Sequence, residues 1–368
     1  MKRIPWYLWC TTAAVTSADI GVQWDIAWHR SIGRDGFWSP PHVAIYLCGV
    51  LAGLAAAVLI LSTTFGKASR ESTIRIWGFH GPLGAFIASW GGVAMLASAP
   101  FDDWWHGAYG LDVKILSPPH VILALGIVAI QLGSLILILG HMNRAAAAVR
   151  APFVRLFLYV GGMLLVTLFT LTMESNQRIS LHLAAFYIGA ALVYPPILIG
   201  IARASQVPWA ATKAAAIYSA TLLGLLWVLP LVPAIPKLGP VLYPVTHLVP
   251  AGFPLLLLAP AIAIDLVLRR ALNDWLAAAV AGAAFVCALL AAQWPFADFL
   301  MSPAAHNAVF GSGYLDYRSG PQSYFARNLF REAGPHDLAR GLPIALAVAF
   351  ISSRGGLAWG AWMRKIKR

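Results

Sequence analysis

Two stretches of a mostly apolar sequence repeat one pattern of acidic and imidazole side chains. Residues 25–42 read DIAWHRSIGRDGFWSPPH, and residues 102–120 read DDWWHGAYGLDVKILSPPH. Each contains Asp-x3-His-x3-Gly-x-Asp and, after six or seven further residues, the histidine of Ser-Pro-Pro-His. Carboxylate and imidazole ligands suit Cu, Zn, Fe or Mn, and one carboxylate with two imidazoles leaves coordination positions open for water, oxygen or a substrate. The candidate metal ligands, which are also the candidate catalytic residues, are Asp25, His29 and His42 in the first stretch and Asp102, His106 and His120 in the second.

Helical geometry explains why these residue types stand at this spacing. The aspartate and the first histidine of each stretch are four residues apart, so they share one face of a helix. Ser-Pro-Pro-His then starts the next helix, because proline is well tolerated in a first turn. We therefore expect His42 and His120 to lie at helix starts and to face the end of the preceding helix.

A purely structural explanation of the same residues is also open. Asp and His side chains cap helices, or pair with Arg30, Arg34 and Lys114 at the membrane edge, while the tryptophans of both stretches form an interfacial belt. A single Asp-x3-His favours this explanation, whereas two copies that each end in a distant helix-start histidine favour metal binding. Asp103 is the alternative ligand if the helix register of the second copy differs by one residue.

The composition indicates an integral membrane protein. Of the 368 residues, 60% are apolar and 11% are charged, and the mean hydropathy is +0.73, whereas soluble domains carry about 25% charged residues. The net charge of +12 is therefore interpreted by the side of the membrane on which the basic residues lie. No nucleic acid partner is expected. The cysteines, Cys10, Cys48 and Cys287, are isolated in apolar runs and predict neither disulfides nor a thiolate metal site.

Apolar runs of about 20 residues, each long enough to cross a bilayer as a helix, recur along the whole chain. The predicted fold class is an all-α polytopic membrane protein with about ten transmembrane helices. Most basic residues fall at alternate connections, so the positive-inside rule predicts that both termini are cytoplasmic and that both motifs face the outer side. The predicted spans are 6–25, 43–64, 78–100, 121–140, 153–173, 181–202, 211–233, 248–268, 275–296 and 342–363.

The two motifs resemble those of the C subunit of the copper membrane monooxygenases, the particulate methane and ammonia monooxygenase family. One family motif is Asp-x3-His-x12-His, which the first stretch reproduces in full. The other is Asn-x3-His-x13-His, and the second stretch has its spacing with Asp102 in place of the amide. The resemblance implies copper at one or both sites, with Asp35 or Asp112 hydrogen-bonded to the imidazoles. The extra carboxylate at Asp102 leaves the metal of the second site open.

The second half of the chain resembles the A subunit of the same family. The resemblance therefore implies two fused bundles: a C-type bundle over 1–150 with both metal motifs, and an A-type bundle over 151–368 with an outer-side loop at about 298–340. The stretches that carry it, in order, are QVPWAAT (206–212), YPVTHLVPA (243–251) with the following IDLVL from Ile264, QWPFADFLMSPAAHN (293–307) and YLDYRSGPQSYFARNLFREAG (314–334).

The activity that the resemblance implies is a copper-dependent monooxygenation of a small apolar substrate, such as an alkane, or of ammonia, with O2. No haem, flavin or iron–sulfur motif is visible, so the electrons come from an external reductant such as a quinol. The implied setting is the cytoplasmic membrane of a bacterium or archaeon, with a separate cupredoxin-like B subunit as a partner and a homotrimer as the oligomer.

A metal-ion or proton transporter that uses the same Asp and His residues is the main alternative. Intramembrane Asp and His residues are common in such relays. However, a transporter places its ionisable residues near the membrane midplane in broken helices, whereas the motifs here lie at predicted helix ends. A non-catalytic assembly subunit is a third explanation.

Overall fold

Long apolar segments fold as helices in a membrane because their backbone groups must bond to one another where water is absent. The computed structural model describes residues 4–33, 36–66, 70, 72–110, 117–237, 245–311 and 335–367. Ten α-helices lie within these residues, and a short antiparallel hairpin, β1 (Ile74–Ile76) and β2 (Phe79–Gly81), joins the second helix to the third. The helices are α1 (Trp6–Ser31), α2 (Pro40–Phe65), α3 (Leu83–Tyr109), α4 (Pro118–Arg144), α5 (Ala147–Leu171), α6 (Ala184–Ser205), α7 (Ala210–Val228), α8 (Leu258–Leu268), α9 (Asp274–Leu300) and α10 (Pro335–Met363).

Eight of the described helices, α2 to α7, α9 and α10, are long and apolar enough to cross a membrane. This confirms the predicted class of a helical membrane protein, but not the predicted count of ten spans. Helix α1 has 26 residues and is not among the eight, because polar residues such as Thr12, Asp19 and Gln23 lower its hydropathy. The other difference is the predicted span 248–268.

The predicted helix over 248–268 is wrong in its first half. Helix α8 begins only at Leu258, and residues 248–256 have no regular secondary structure. Pro250 and Pro254 explain the break, because each lacks the amide hydrogen that a helix interior needs and its ring clashes with the preceding turn.

Side chains replace the missing helical hydrogen bonds of this segment. The backbone amide of Val249 donates to Ser31 Oγ at 2.6 Å. The amide of Leu255 donates to Tyr218 Oη at 3.0 Å, and that of Leu256 donates to Gln293 Oε1 at 3.0 Å. A non-helical segment among apolar helices is tolerated only where its polar groups are satisfied in this way.

The chain forms two compact units. The first contains Met1–Asp25, Arg34–Thr167 and Met363–Arg368, and the second contains Ile26–Gly33 and Leu168–Trp362. The sequence suggests a different division, at residue 150, because the two halves resemble two different subunits. Contacts within the chain do not test that resemblance, so this division stays a prediction.

In the first unit, α3 and α4 pack closely through glycines spaced seven residues apart. A Cβ added at Gly84 would lie 2.4 Å from the carbonyl oxygen of Gly133, and one at Gly91 would lie 2.7 Å from that of Gly126. These pairings run in opposite directions along the two helices, so α3 and α4 are antiparallel. Small residues let transmembrane helices approach to backbone contact, and this contact brings the end of α3 next to the start of α4.

In the second unit, carboxylates cap helix starts. Asp265 of α8 accepts hydrogen bonds from the backbone amides of Ala211 and Thr212, at 3.3 and 2.8 Å, and from the Thr212 hydroxyl at 2.7 Å. Asp337 of α10 likewise accepts from the amide of Ala184, the first residue of α6, at 3.2 Å. Both carboxylates satisfy amides that a helix start leaves without a partner.

Filling the glycine contact should separate α3 from α4. We expect Gly91→Val to lower the free energy of unfolding by ~1–3 kcal/mol, the usual cost of overpacking a well-packed contact. The same change at Gly224 of α7, where an added Cβ meets nothing within 4 Å, is the matched control. Thermal unfolding of the two purified variants in detergent measures the difference, and equal melting temperatures would contradict the role given to the glycines.

The hydroxyl of Tyr218 should matter for stability and that of Tyr187 should not. Both side chains are fully or almost fully buried, but the Tyr187 hydroxyl has no hydrogen-bond partner. We expect Tyr218→Phe to cost ~1–3 kcal/mol, because it leaves the buried Leu255 amide unsatisfied, and Tyr187→Phe to be close to neutral. Chemical unfolding of both variants is the measurement, and a larger loss for Tyr187→Phe would refute the assignment.

Candidate metal centre

The second motif lies where the antiparallel helices α3 and α4 meet. Asp102 and His106 stand one turn apart near the end of α3, and His120 stands in the first turn of α4. The Nε2 atom of His106 is 3.5 Å from Asp102 Oδ2, and that of His120 is 3.4 Å from Asp102 Oδ1. The sequence spacing therefore places both imidazoles against one carboxylate, as predicted for a ligand group.

The end of α3 fixes which nitrogen of His106 faces the carboxylate. Gly110 ends the helix with φ of +87°, a conformation that glycine adopts without strain. Its carbonyl oxygen lies 3.3 Å from His106 Nδ1, and because a carbonyl only accepts, Nδ1 carries the proton. A neutral ring then has its lone pair on Nε2, and this arrangement is common for metal-bound histidine. Gly33 in the first motif also has positive φ, which explains why the repeat includes a glycine.

The start of α4 holds His120. Ser117 is the N-cap residue, and its hydroxyl accepts from the backbone amide of His120 at 3.5 Å. Pro118 and Pro119 occupy the first turn, where their missing amide hydrogens cost nothing. The Ser-Pro-Pro-His sequence therefore acts as predicted, by starting a helix with its histidine directed toward the preceding helix end.

The donor atoms of Asp102, His106 and His120 fit a divalent ion. One ligand atom from each lies within 4.8 Å of the other two, and among the described residues these three form the group of His, Cys, Asp or Glu with this geometry. Donors in a tetrahedron at ~2.1 Å from an ion lie ~3.4 Å apart. Each imidazole nitrogen lies at about this distance from one carboxylate oxygen, 3.5 Å from Oδ2 for His106 and 3.4 Å from Oδ1 for His120. Asp102 Oδ1 is buried without a hydrogen-bond partner, so its lone pairs are available.

The first motif is brought together in part. His42 Nε2 lies 3.5 Å from Asp25 Oδ1, and the two side chains are 15% and 18% exposed. His29 is an exposed residue of the second unit and is not part of the described three-residue group. Its role as a ligand stays a prediction. Asp35 and Asp112, expected to bond to the imidazoles, lie outside the described residues.

Aromatic side chains surround the second motif on its own helix. Phe101 stacks on Trp104 with ring centroids 5.9 Å apart, and Trp105 lies 4.5 Å from the ring of Tyr109. These residues alternate with Asp102 and His106 on the last turns of α3, so apolar surface adjoins the ligands. Trp104 is 57% exposed, a suitable site for contact with lipid or with an apolar molecule.

The structure also pairs two residues that spacing does not connect. His182 Nε2 lies 3.0 Å from Asp298 Oδ1, and the ring of Trp294 lies 4.5 Å from that of His182. A separation of more than a hundred residues leaves no periodic signal, so this pair could not have been identified from the sequence.

Comparison with known proteins adds no family to this description. No family model and no curated protein matches the sequence, and no solved structure matches the fold. The functional assignment therefore rests on the residues and geometry of this chain.

Metal binding at the second motif should depend on each of its ligands. We expect His120→Ala to remove about one equivalent of bound divalent metal per chain relative to the unaltered protein. Asp102→Asn should keep the geometry but weaken binding at least ~10-fold, because the ligand loses its charge. Elemental analysis after equilibrium dialysis against Cu²⁺ and, separately, Zn²⁺ measures both effects. His80→Ala, in the β2 strand of the same unit, is the control, and metal content equal to that of the control in all variants would exclude the site.

Proposed function

We propose that this protein is a copper-dependent membrane monooxygenase-like enzyme that uses O2 to hydroxylate a small apolar substrate, such as an alkane, or ammonia. The observation that carries the proposal is the convergence of one carboxylate and two imidazoles at the adjoining ends of two apolar helices. Three protein donors leave coordination positions open, which suits chemistry better than a closed structural site.

The side chains of the site have separate roles in this proposal. Asp102 supplies negative charge, and His106 holds its proton at Nδ1 against the Gly110 carbonyl, so that its Nε2 lone pair faces the carboxylate. Bound copper would supply the oxygen-activating redox chemistry. Trp104 and Trp105 provide apolar surface beside the ligands, which favours a small hydrocarbon over water.

The membrane arrangement and partners belong to the same proposal. The excess of basic residues at alternate connections supports cytoplasmic termini and an outer-side position of the metal motifs in a bacterial or archaeal cytoplasmic membrane. Asp25, His29 and His42 form the other copper site. An external quinol supplies electrons, a separate cupredoxin-like subunit is a partner, and the oligomer is a homotrimer.

Oxygen consumption tests the activity directly. Full-length protein loaded with copper and supplied with a quinol is expected to consume O2 faster when ethane or ammonia is added, and to form the hydroxylated product. His106→Ala and His42→Ala, singly and together, identify the motif on which the activity depends, and His80→Ala is the control.

Two results would count against this proposal. Product formation that does not fall in any of the ligand variants would separate the activity from both motifs. Retention of zinc in preference to copper, with no oxygen consumption dependent on substrate, would instead favour the metal transporter.

A further inference from the structure

A second polar cluster lies inside the first unit, away from both metal motifs. It joins Asp19 of α1, Gln131 of α4 and Thr167 of α5. The Thr167 hydroxyl donates to Asp19 Oδ1 at 2.5 Å, and Gln131 Nε2 donates to Asp19 Oδ2 at 3.2 Å and to Thr167 Oγ1 at 2.7 Å. Asp19 is 3% exposed, and Gln131 is fully buried.

The cluster lacks a positive charge. Among the described residues, no Lys, Arg or His forms an ion pair with Asp19, and its hydrogen-bond partners are all neutral. An ionised carboxylate removed from water without a cation is costly, and such groups are usually neutralised. The charge of Asp19 must therefore be removed by a bound ion, and the smallest such ion is a proton.

The hydrogen bonds of the cluster are also one donor short. Gln131 Oε1 is buried and has no hydrogen-bond partner, whereas the Gln131 amide donates to Asp19 and to Thr167, and the Thr167 hydroxyl donates to Asp19. A buried acceptor without a donor is destabilising. A proton bound to the Asp19 carboxyl cancels the charge that these neutral donors leave uncompensated, so the charge of the cluster points to a proton as its ligand.

Polar side chains continue from Asp19 along one face of α1. Thr12, Thr16, Asp19 and Gln23 are three or four residues apart and so share a face. The Thr16 hydroxyl is 2.8 Å from that of Tyr159 on α5. Cys48 of α2 is close enough to Asp19 for electrostatic interaction, and Tyr159 lies one helical turn away at Thr16. Neither group is a cation.

We propose that Asp19 is a proton-binding site within the helical bundle, which takes up and releases one proton between Thr167 and Gln131. The site is separate from the metal ligands, since Asp19 lies six residues, or ~9 Å along the helix, from Asp25. Its occupation by a proton does not require that the protein bind copper or oxidise a substrate. A polar face on α1 gives protons a path to it through an otherwise apolar bundle.

An apolar carbodiimide tests this directly. Dicyclohexylcarbodiimide adds to protonated carboxylic acids: the acid proton moves to a carbodiimide nitrogen, the carboxyl oxygen bonds to the central carbon, and the product rearranges to a stable N-acylurea. Full-length protein in detergent is treated from mildly acidic to mildly alkaline pH, and mass spectrometry of peptides locates the adduct. At neutral pH we expect at least ~10-fold more adduct on Asp19 than on Asp274 or Asp298, because the reagent needs a protonated acid and burial without a cation favours that form at Asp19.

Two variants locate the adduct and control for the substitution itself. Asp19→Asn should abolish it, and the same change at Asp298, whose side chain is 63% exposed, should leave it unchanged. Loss of the adduct as pH rises in the unaltered protein supports the proposal even if Asp19→Asn does not fold. Absence of an Asp19 adduct at every pH would overturn the proposal. Loss of the adduct when sodium replaces choline at constant pH would also overturn it, because it would indicate a sodium site.

Discussion

The backbone contact between α3 and α4 is the constraint on which the candidate centre depends. Gly84 and Gly91 meet Gly133 and Gly126 with no space for a Cβ, so the two helix backbones are in direct contact. Because the helices are antiparallel and joined by a short connection, this separation is carried to the ends that hold Asp102, His106 and His120. Larger residues in the contact would move His120 away from the carboxylate, since a ligand group tolerates displacements of only a few tenths of an ångström.

The absence of water imposes a second constraint, on the backbone. At two places where the described chain is not helical or a helix begins, side chains supply the missing hydrogen-bond partners. Ser31, Tyr218 and Gln293 do so for the segment before α8, and Asp265 does so for the start of α7. The IDLVL and QVPWAAT stretches, which suggested a family likeness in the sequence, are therefore in contact through a helix cap. That contact gives them a structural role that is independent of any activity.

Local patterns made much of the fold and of the second motif predictable. Hydropathy identified most spans because length and apolar content are properties of one segment, and Ser-Pro-Pro-His identified the start of α4 because proline acts on its own turn. Hydropathy alone did not identify the break before α8, since Pro250 and Pro254 stand in an apolar run. The cluster of Asp19, Gln131 and Thr167 was not predicted either. Its members are 112 and 148 residues from Asp19 in sequence, so only tertiary packing brings them together.

Two aspartates of the first unit show how the neighbouring groups determine which ion a carboxylate binds. Asp102 is 18% exposed and has the Nε2 atoms of two imidazoles 3.4 and 3.5 Å away. Three donor groups therefore meet there, and the favoured ligand is a cation with several coordination positions. Asp19 is 3% exposed, and its hydrogen-bond partners among the described residues are an amide and a hydroxyl that already donate to it. There a single negative charge must be cancelled. A proton cancels it, whereas a divalent metal would leave an excess of positive charge in the apolar interior.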